Sequence, residues 1–375
     1  MSTKSGNALS FVPYVELDEL IDAIPLYGTT ITPIIQSEPG VGKSTLLSLI
    51  AERNGDAWRR TGDVCPNDKY DYIYVDCPVK DLGDVGMNIP VHASKQLEYY
   101  ASELFMLTSP RPKIIMLDEF MKSPKLLQIM FTRLMRERVA GDIPLTKGSI
   151  VFGTSNNQTD GVGDGMMAHA GNRVMMFRMR KPNAVKWNAW AGKQKISRSI
   201  RAWVAMNSRC LASYLDGGQE DNPYIFKPNK MMLSFVSPRS LAELDTVMKN
   251  ADKVSANMTL AAACGTVGEM AAKDIVAFLS MEKELISTED VIKDPTGVAV
   301  PEKLASQFLM MFNAVDTITT QDELSSFMTF INRLPSSEVK SVFFTMLFKT
   351  QRTMRLAKNN DQVNAWGANN LELIS

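Results

Sequence analysis

The chain is poor in the residues that build cross-linked or metal-bound frameworks. Its four cysteines, Cys65, Cys77, Cys210 and Cys264, are widely spaced with no Cys-x-x-Cys pair, and its only histidines, His92 and His169, stand far apart. A disulfide scaffold or a zinc site is therefore not expected. Excess charge of either sign is also missing. With 41 Lys plus Arg against 41 Asp plus Glu, no global field recommends nucleic acid or an anionic membrane as the main partner. Nor is there a long apolar run. The opening "MSTKSGNALSFVPYVELDEL" holds no leader-like stretch, and "LAAACGTVGEMAAKDIVAFL" is cut by Glu269, Lys273 and Asp274, so a cytoplasmic protein without a membrane span is expected. The sequence has no internal repeat or low-complexity tract, which argues against a solenoid.

What is present suits a globular protein. At 375 residues and 45% hydrophobic content the chain is long and apolar enough for two or three domains, each with its own core. The 24 methionines fit helical core packing.

Through residue 180, strand-like apolar runs alternate with helical ones, the pattern of a largely parallel sheet with crossovers. Strands are predicted at 32–37, 70–77, 113–118, 148–155 and 173–179, and helices from Lys43, from Ser94 ("SKQLEYYASELFML") and from Ser123. In the last, Ser123 is placed to cap and Pro124 to sit in the first turn. From Lys181 helical periodicity takes over. The loop-like tract 216–230 and the linker-like "KDPTGVAVP" at 293–301 divide this helical half of the chain. The expected organisation is a core over 1–180, a helical domain over 181–292 and a helical extension over 293–375.

The strongest chemical signal is "TPIIQSEPGVGKSTLLSLI" at 32–50, a strand, a glycine-containing turn and a helix in immediate succession. It matches the phosphate-loop pattern G-x-x-x-x-G-K-[ST] except at its first position, where Ser37 stands. Glycines at 40 and 42 let the backbone turn its N–H groups inward at the positive end of a helix. Lys43 would then reach the β- and γ-phosphates, Ser44 would ligate Mg2+ and Thr45 would face the α-phosphate side. Ser37 is compatible with these roles if its φ stays negative, and its hydroxyl can bond locally.

In "KIIMLDEF" a strand ends in two acids, which taken alone is as well explained by solvated surface carboxylates. Beside a phosphate loop, Asp118 would hold Mg2+ through its water shell and Glu119 would polarise an attacking water. "SIVFGTSNN" ends in Asn156, placed to orient that water. "AHAGNRVMMFRMR" puts Arg173 at a strand mouth, where it could act on a neighbouring subunit's nucleotide; Arg178 and Arg180 are rivals, and a surface ion pair is the plainer alternative. Arg239 in "SPRSL" sits at a helix start, an unfavourable place for a cation unless it serves a function. Trp187, Trp190 and Trp203 have core-like spacing, although Lys193, Lys195, Arg198 and Arg201 nearby leave a nucleic-acid platform open.

The ordered set "SEPGVGKS", "IIMLDEF", "GTSNN", "NRV" and "SPRSL" resembles the AAA+ ATPases, and within them the MoxR-like branch, some of whose relatives occur in phages. The resemblance implies an α/β fold: an αβα P-loop core with a parallel five-stranded sheet of order 5-1-4-3-2, an all-α lid, and assembly into a homo-oligomeric ring, usually a hexamer. ATP and Mg2+ are the implied cofactors. Pro39, Gly40, Val41, Gly42, Lys43, Ser44 and Thr45 would cradle the nucleotide as Walker A, with Ser44 and Asp118 serving the metal. Glu119 would complete Walker B, Asn156 would be sensor 1, Arg173 the arginine finger and Arg239 sensor 2. It also implies an insert, placed at 79–94, and a hairpin before sensor 1, placed at 139–149, both facing a pore or a partner. Family members commonly work with a von Willebrand factor A domain protein as metal-insertion or assembly chaperones, so the resemblance implies such a partner or a protein client. A nucleic-acid-dependent motor or loader, or a ring scaffold without turnover, are the alternatives. Ser37 and Asn157 depart from the family pattern, and residues 291–375 lie outside it.

Overall fold

The fold of unit one follows from alternation. A computed structural model describes residues 12–56, 58, 68–157, 174–282, 286–349 and 351–370. Contacts divide the chain into one unit running to Lys181 with Pro228–Lys230 added, and a second comprising Pro182–Lys227 and the chain from Met231 onward. The first unit contains, in chain order, β1 (Tyr14–Val15), α1 (Leu17–Tyr27), β2 (Thr32–Ser37), α2 (Leu46–Asn54), β3 (Asp71–Asp76), α3 (Leu82–Val85), β4 (Gly86–Val91), β5 (Gln96–Ala101), β6 (Lys113–Asp118), α4 (Lys125–Glu137), β7 (Val139–Ala140), β8 (Ile143–Pro144), β9 (Ile150–Asn156) and β10 (Val174–Met179).

Six strands form one parallel sheet in the order β1-β10-β2-β9-β6-β3. Successive side chains of a strand face opposite sides. Ile34, Ile115, Leu117 and Val151 accordingly join Leu127, Phe131 and Leu134 of α4 in one core. Ile35, Ile114, Met116, Ile150 and Phe152 join Leu20 and Ile24 of α1 and Leu46, Leu47 and Ile50 of α2 in another. Central strands buried on both faces read as continuous apolar runs, as "KIIMLD" does. The five predicted strands lie in the order 5-1-4-3-2; the sheet corrects the count to six, because β1 adds an edge strand beside β10.

Two local expectations are overturned. The segment from Ser94 forms no helix: β5 pairs antiparallel with β4 as a hairpin. Lys95 takes a left-handed φ of 55° at the turn, which stops a helix starting there. Tyr99 then lies against Gly86 and Gly141, both with positive φ, so closely that a Cβ on either glycine would overlap its ring. The second hairpin, β7 with β8, falls inside 139–149 as expected. At the start of α4, Pro124 rather than Ser123 holds the N-cap position, and the Ser123 hydroxyl donates to Phe120 O at 2.6 Å.

The second unit is helical, with α5 (Ala184–Lys193), α6 (Arg198–Met206), α7 (Pro238–Lys249), α8 (Ala256–Val267), α9 (Glu269–Glu282), α10 (Thr288–Lys293), α11 (Leu304–Thr317), α12 (Gln321–Arg333), α13 (Ser337–Leu347), α14 (Gln351–Lys358) and α15 (Asp361–Asn369). Side-chain caps start many of them, as where Thr320 and Glu323 form a reciprocal capping box on α12. One core runs from Ala184 to Val363 and includes Phe308, Phe312, Phe327 and Phe343. Trp187 and Trp203 are buried in it, and only Trp190 of the three is exposed. Among the described residues, no helix is long and apolar enough to cross a membrane.

Candidate functional site

Ser37 ends β2 and is the Cα partner of Asn156, which ends β9. Asp118 ends β6 on the other side of β9. Three parallel strands thus deliver the loop, the amide and the acidic pair to one edge of the sheet, the carboxyl edge where open α/β sheets bind ligands.

The turn after β2 depends on Gly40 and Gly42, whose φ values of 74° and 100° belong to the left-handed region that favours glycine. Ser37 is not among the residues with positive φ, and its side chain fits. Its hydroxyl donates to Glu38 O at 3.3 Å and accepts from the Lys43 ammonium at 3.1 Å. Lys43 is buried. Its Nζ also donates to Ser37 O at 3.2 Å, to Glu38 O at 2.8 Å and to Asn156 Oδ1 at 2.8 Å. A 3-10 turn, Lys43–Thr45, leads into α2, and the Thr45 hydroxyl donates to Gly42 O at 2.7 Å. The Glu38 carboxylate forms a buried ion pair with Lys181 at 3.9 Å.

Asp118 is 5% exposed, yet its carboxylate is held by two hydroxyls. Tyr74 donates to Oδ2 at 2.7 Å, and Thr154 donates to Oδ1. Thr154 also accepts the Glu119 N–H at 3.2 Å, so one buried hydroxyl ties both acids to β9. Glu119 itself has φ 52°, an uncommon conformation for a side-chain-bearing residue, and its carboxylate pairs with Lys122 at 2.6 Å. Burial, followed by the charges of Asp118 and Asp76, pushes the Cys77 thiol up, so it stays protonated beside the site.

The structure thus brings together Lys43, Asn156 and the loop glycines, and places Asp118 and Glu119 at the adjoining strand end. Arg173 lies outside the described residues. Its rivals are engaged at the sheet's edge: Arg178 lies 4.1 Å over the Tyr14 ring and donates to the Tyr14 hydroxyl, while Arg180 pairs with Glu16 at 3.8 Å. Arg239 belongs to the second unit, exposed in the first turn of α7 behind the cap formed by Ser237 and Ser240. Sequence reasoning missed Tyr74, Thr154 and Lys122. The one available signal was position, since Thr154 and Asn156 are two residues apart on one strand and therefore share a face.

Among the described residues, no group of three or more His, Cys, Asp or Glu side chains could hold a metal alone. The donor set instead suits Mg2+ bound largely by phosphate and water. Asp118, with both oxygens already accepting from hydroxyls, fits contact through the water shell, and Ser44 supplies a hydroxyl beside the loop lysine.

No family profile matches the chain, and no curated protein matches it. Among solved structures it is similar to a candidate ATPase from Cytophaga hutchinsonii, with 14% identity over 88% of this chain and 81% of that one at a TM-score of 0.32. It is also similar to the RuvB Holliday junction branch migration motor of Thermotoga maritima, with 11% identity over 82% and 68% at 0.31. A third is NtrX from Brucella abortus in complex with ADP, with 11% identity over 95% and 67% at 0.32. At these scores the functional case rests on the site's own geometry: a buried loop lysine, an amide and two carboxylates gathered at the carboxyl edge of a parallel sheet.

Proposed function

We propose that this chain is a Mg2+-dependent ATPase of the AAA+ class, of MoxR-like type, which couples ATP turnover to remodelling or assembly of a protein partner. The observation that carries the reading is the Lys43 ammonium, buried behind two left-handed glycines and hydrogen-bonded to Asn156, one strand away from Asp118. Backbone N–H groups of the loop from Gly40 through Thr45, which Pro39 leads into, would receive the phosphates, and Lys43 would neutralise charge on the β- and γ-phosphates. Asp118 and Ser44 would hold Mg2+, which when bound offsets charge on the phosphate oxygens. Glu119 would take a proton from the attacking water, while Asn156 orients that water. The Lys122 ion pair must open before the Glu119 carboxylate can serve as base.

Ring assembly, with a hexamer the expected size, would let Arg173 act on a neighbouring subunit's nucleotide, and Arg239 would act as sensor 2. A protein client is favoured over nucleic acid for two reasons. Met87, Ile89, Leu97 and Tyr100 expose apolar surface on the β4–β5 hairpin, where a partner could dock. In the second unit, Arg198 pairs with Asp316 at 2.9 Å and Arg201 lies 5.3 Å from the Phe312 ring centroid, so these two cations are engaged within the fold.

The test is Glu119→Gln. It should retain ATP binding while turnover falls by about 100-fold or more, the scale of a lost general base. Wild-type turnover in that variant, measured by phosphate release, would remove Glu119 from the chemistry.

A further inference from the structure

Asn156 is expected to face the reacting water, yet in this structure its side chain is engaged elsewhere. Its Oδ1 accepts from Lys43 at 2.8 Å. An ammonium carries only donors, so the amide oxygen must be the atom facing it, and the NH2 group faces away. Among the described residues, Lys43 has three N–H bonds to share among at least four oxygens within 3.2 Å: Ser37 O, Ser37 Oγ, Glu38 O and Asn156 Oδ1. Three of these acceptors belong to the loop that carries Lys43. Of these four, Asn156 is the one contributed by another strand, and its contact is tied for the shortest.

A phosphate oxygen arriving in the loop requires at least one of those N–H bonds. The carbonyls of Ser37 and Glu38 are fixed by the turn itself, and the Ser37 hydroxyl is anchored by its own bond to Glu38 O. The amide of Asn156 can leave by side-chain rotation alone. We infer that Asn156 has a second role, as an internal competitor that occupies Lys43 until a nucleotide phosphate displaces it, so that nucleotide binding both takes the lysine and frees the amide. Ser37 contributes by position. Its hydroxyl stands where the phosphate-loop pattern has no side chain, and it keeps the ammonium beside the loop carbonyls while the fourth partner is exchanged.

The inference rests on the ATPase reading and makes a demand that an ordinary water-orienting role would not. Removing Asn156 should move binding and turnover in opposite directions. Asn156→Ala deletes the competitor, so Mg-ATP and ADP should each bind about 3- to 10-fold more tightly, the net worth of one ordinary hydrogen bond given back to the ligand. Turnover should fall in the same protein. Asn156→Ser, whose shorter side chain does not reach the ammonium but keeps a polar group at the strand end, should show the same split, and serves if the alanine form does not fold.

The measurement is calorimetric titration of the full-length chain with Mg-ATP and with ADP, alongside phosphate release. Tighter binding with slower turnover supports the exchange. Equal or weaker binding in folded variants of a wild type that does bind overturns the exchange and leaves the ATPase reading standing. A wild type that binds neither nucleotide overturns both.

Discussion

The two ends of strand β6 both bury charge, and they differ in whether that charge faces an opposite one. Strand β6 carries one charge at each end, Lys113 where it enters and Asp118 where it leaves, with all six residues buried. At the entry end, Lys113 donates to Ser109 O at 2.6 Å and Arg111 O at 2.5 Å and also faces Asp71, its register partner on β3, at 3.5 Å; Asp71 takes a second cation, Arg111, at 2.8 Å. At the exit end, Asp118 is held by the Tyr74 and Thr154 hydroxyls, and Lys43 donates to at least four neutral oxygens among the described residues, while Glu38 and Glu119 beside them pair with Lys181 and Lys122. Charges closed on one another stabilise a fold and have little left for a ligand. Charges held by dipoles stay in place while keeping their attraction for a charged newcomer, which is the preorganised state a phosphate and a metal ion require. Buried ionisable groups alone would mark both ends; what separates the two ends of β6 is that Lys113 faces a carboxylate and Asp118 faces two hydroxyls.

Removing one charge at each end should therefore break different properties. At the entry end Asp71→Asn leaves Lys113 without the carboxylate that compensates its burial, and a buried pair broken on one side costs about 3–5 kcal/mol. Denaturant titration should show that loss. The pH dependence carries a sign. Burial, with Arg111 assisting and Asp71 opposing, holds the Lys113 ammonium below its ordinary value of 10.5. The unfolded chain then binds the proton more tightly, so stability rises with pH across the window beneath 10.5. The slope should steepen in Asp71→Asn. A variant as stable as wild type with an unchanged slope would show that the entry-end knot is not structural.

The matching change at the exit end is Lys43→Met. Its acceptors among the described residues include two backbone carbonyls, a serine hydroxyl and an amide, which are neutral groups. The expected loss is in binding: ATP affinity lower by about 100-fold, from two charge-assisted contacts to phosphate, with a smaller loss of stability than Asp71→Asn brings. Unfolding on the scale of the entry-end variant, with affinity preserved, would reverse the contrast between the two ends.

Legibility in the sequence divides along the same line. The loop, the acid pair and Asn156 can be found because each sits where a strand ends and polar residues interrupt an apolar run, a one-dimensional signal. The order of the five predicted strands comes from family resemblance rather than from periodicity. The stretch from Ser94 reads as a helix because Leu97, Tyr100, Ala101 and Leu104 also fit a helical repeat, and what decides it is tertiary: the pairing with β4 and the seat of Tyr99 between Gly86 and Gly141. Tyr74 and the Asp71–Lys113 pair are invisible in sequence because each acts across strands distant along the chain, and only register brings them together; Thr154 shows there only as sharing a face with Asn156. Lys122 is close enough in sequence to be noticed, but its bond to Glu119 depends on a left-handed backbone at Glu119 that no spacing rule indicates.

The finest test of the contrast is Tyr74→Phe, which removes a neutral donor from the exit end and no charge at all. If the hydroxyl only fills space, the variant should behave as wild type, since the ring remains. If it positions Asp118, the carboxylate loses its partner on Oδ2 and keeps only Thr154 on Oδ1, so it can turn away from the water shell it would hold. Outer partners of a metal-binding carboxylate commonly matter by about tenfold or more in metal affinity. The Mg2+ concentration needed for half-maximal turnover should accordingly rise by about tenfold, with kcat at saturating Mg2+ within about twofold and a stability change near 1 kcal/mol. A change in kcat with no change in Mg2+ dependence would assign Tyr74 to the water-attacking half of the site instead. An unchanged Mg2+ curve and unchanged kcat would mean that Thr154 alone fixes the acid, and that dipole support at the exit end is narrower than the two-hydroxyl cradle suggests.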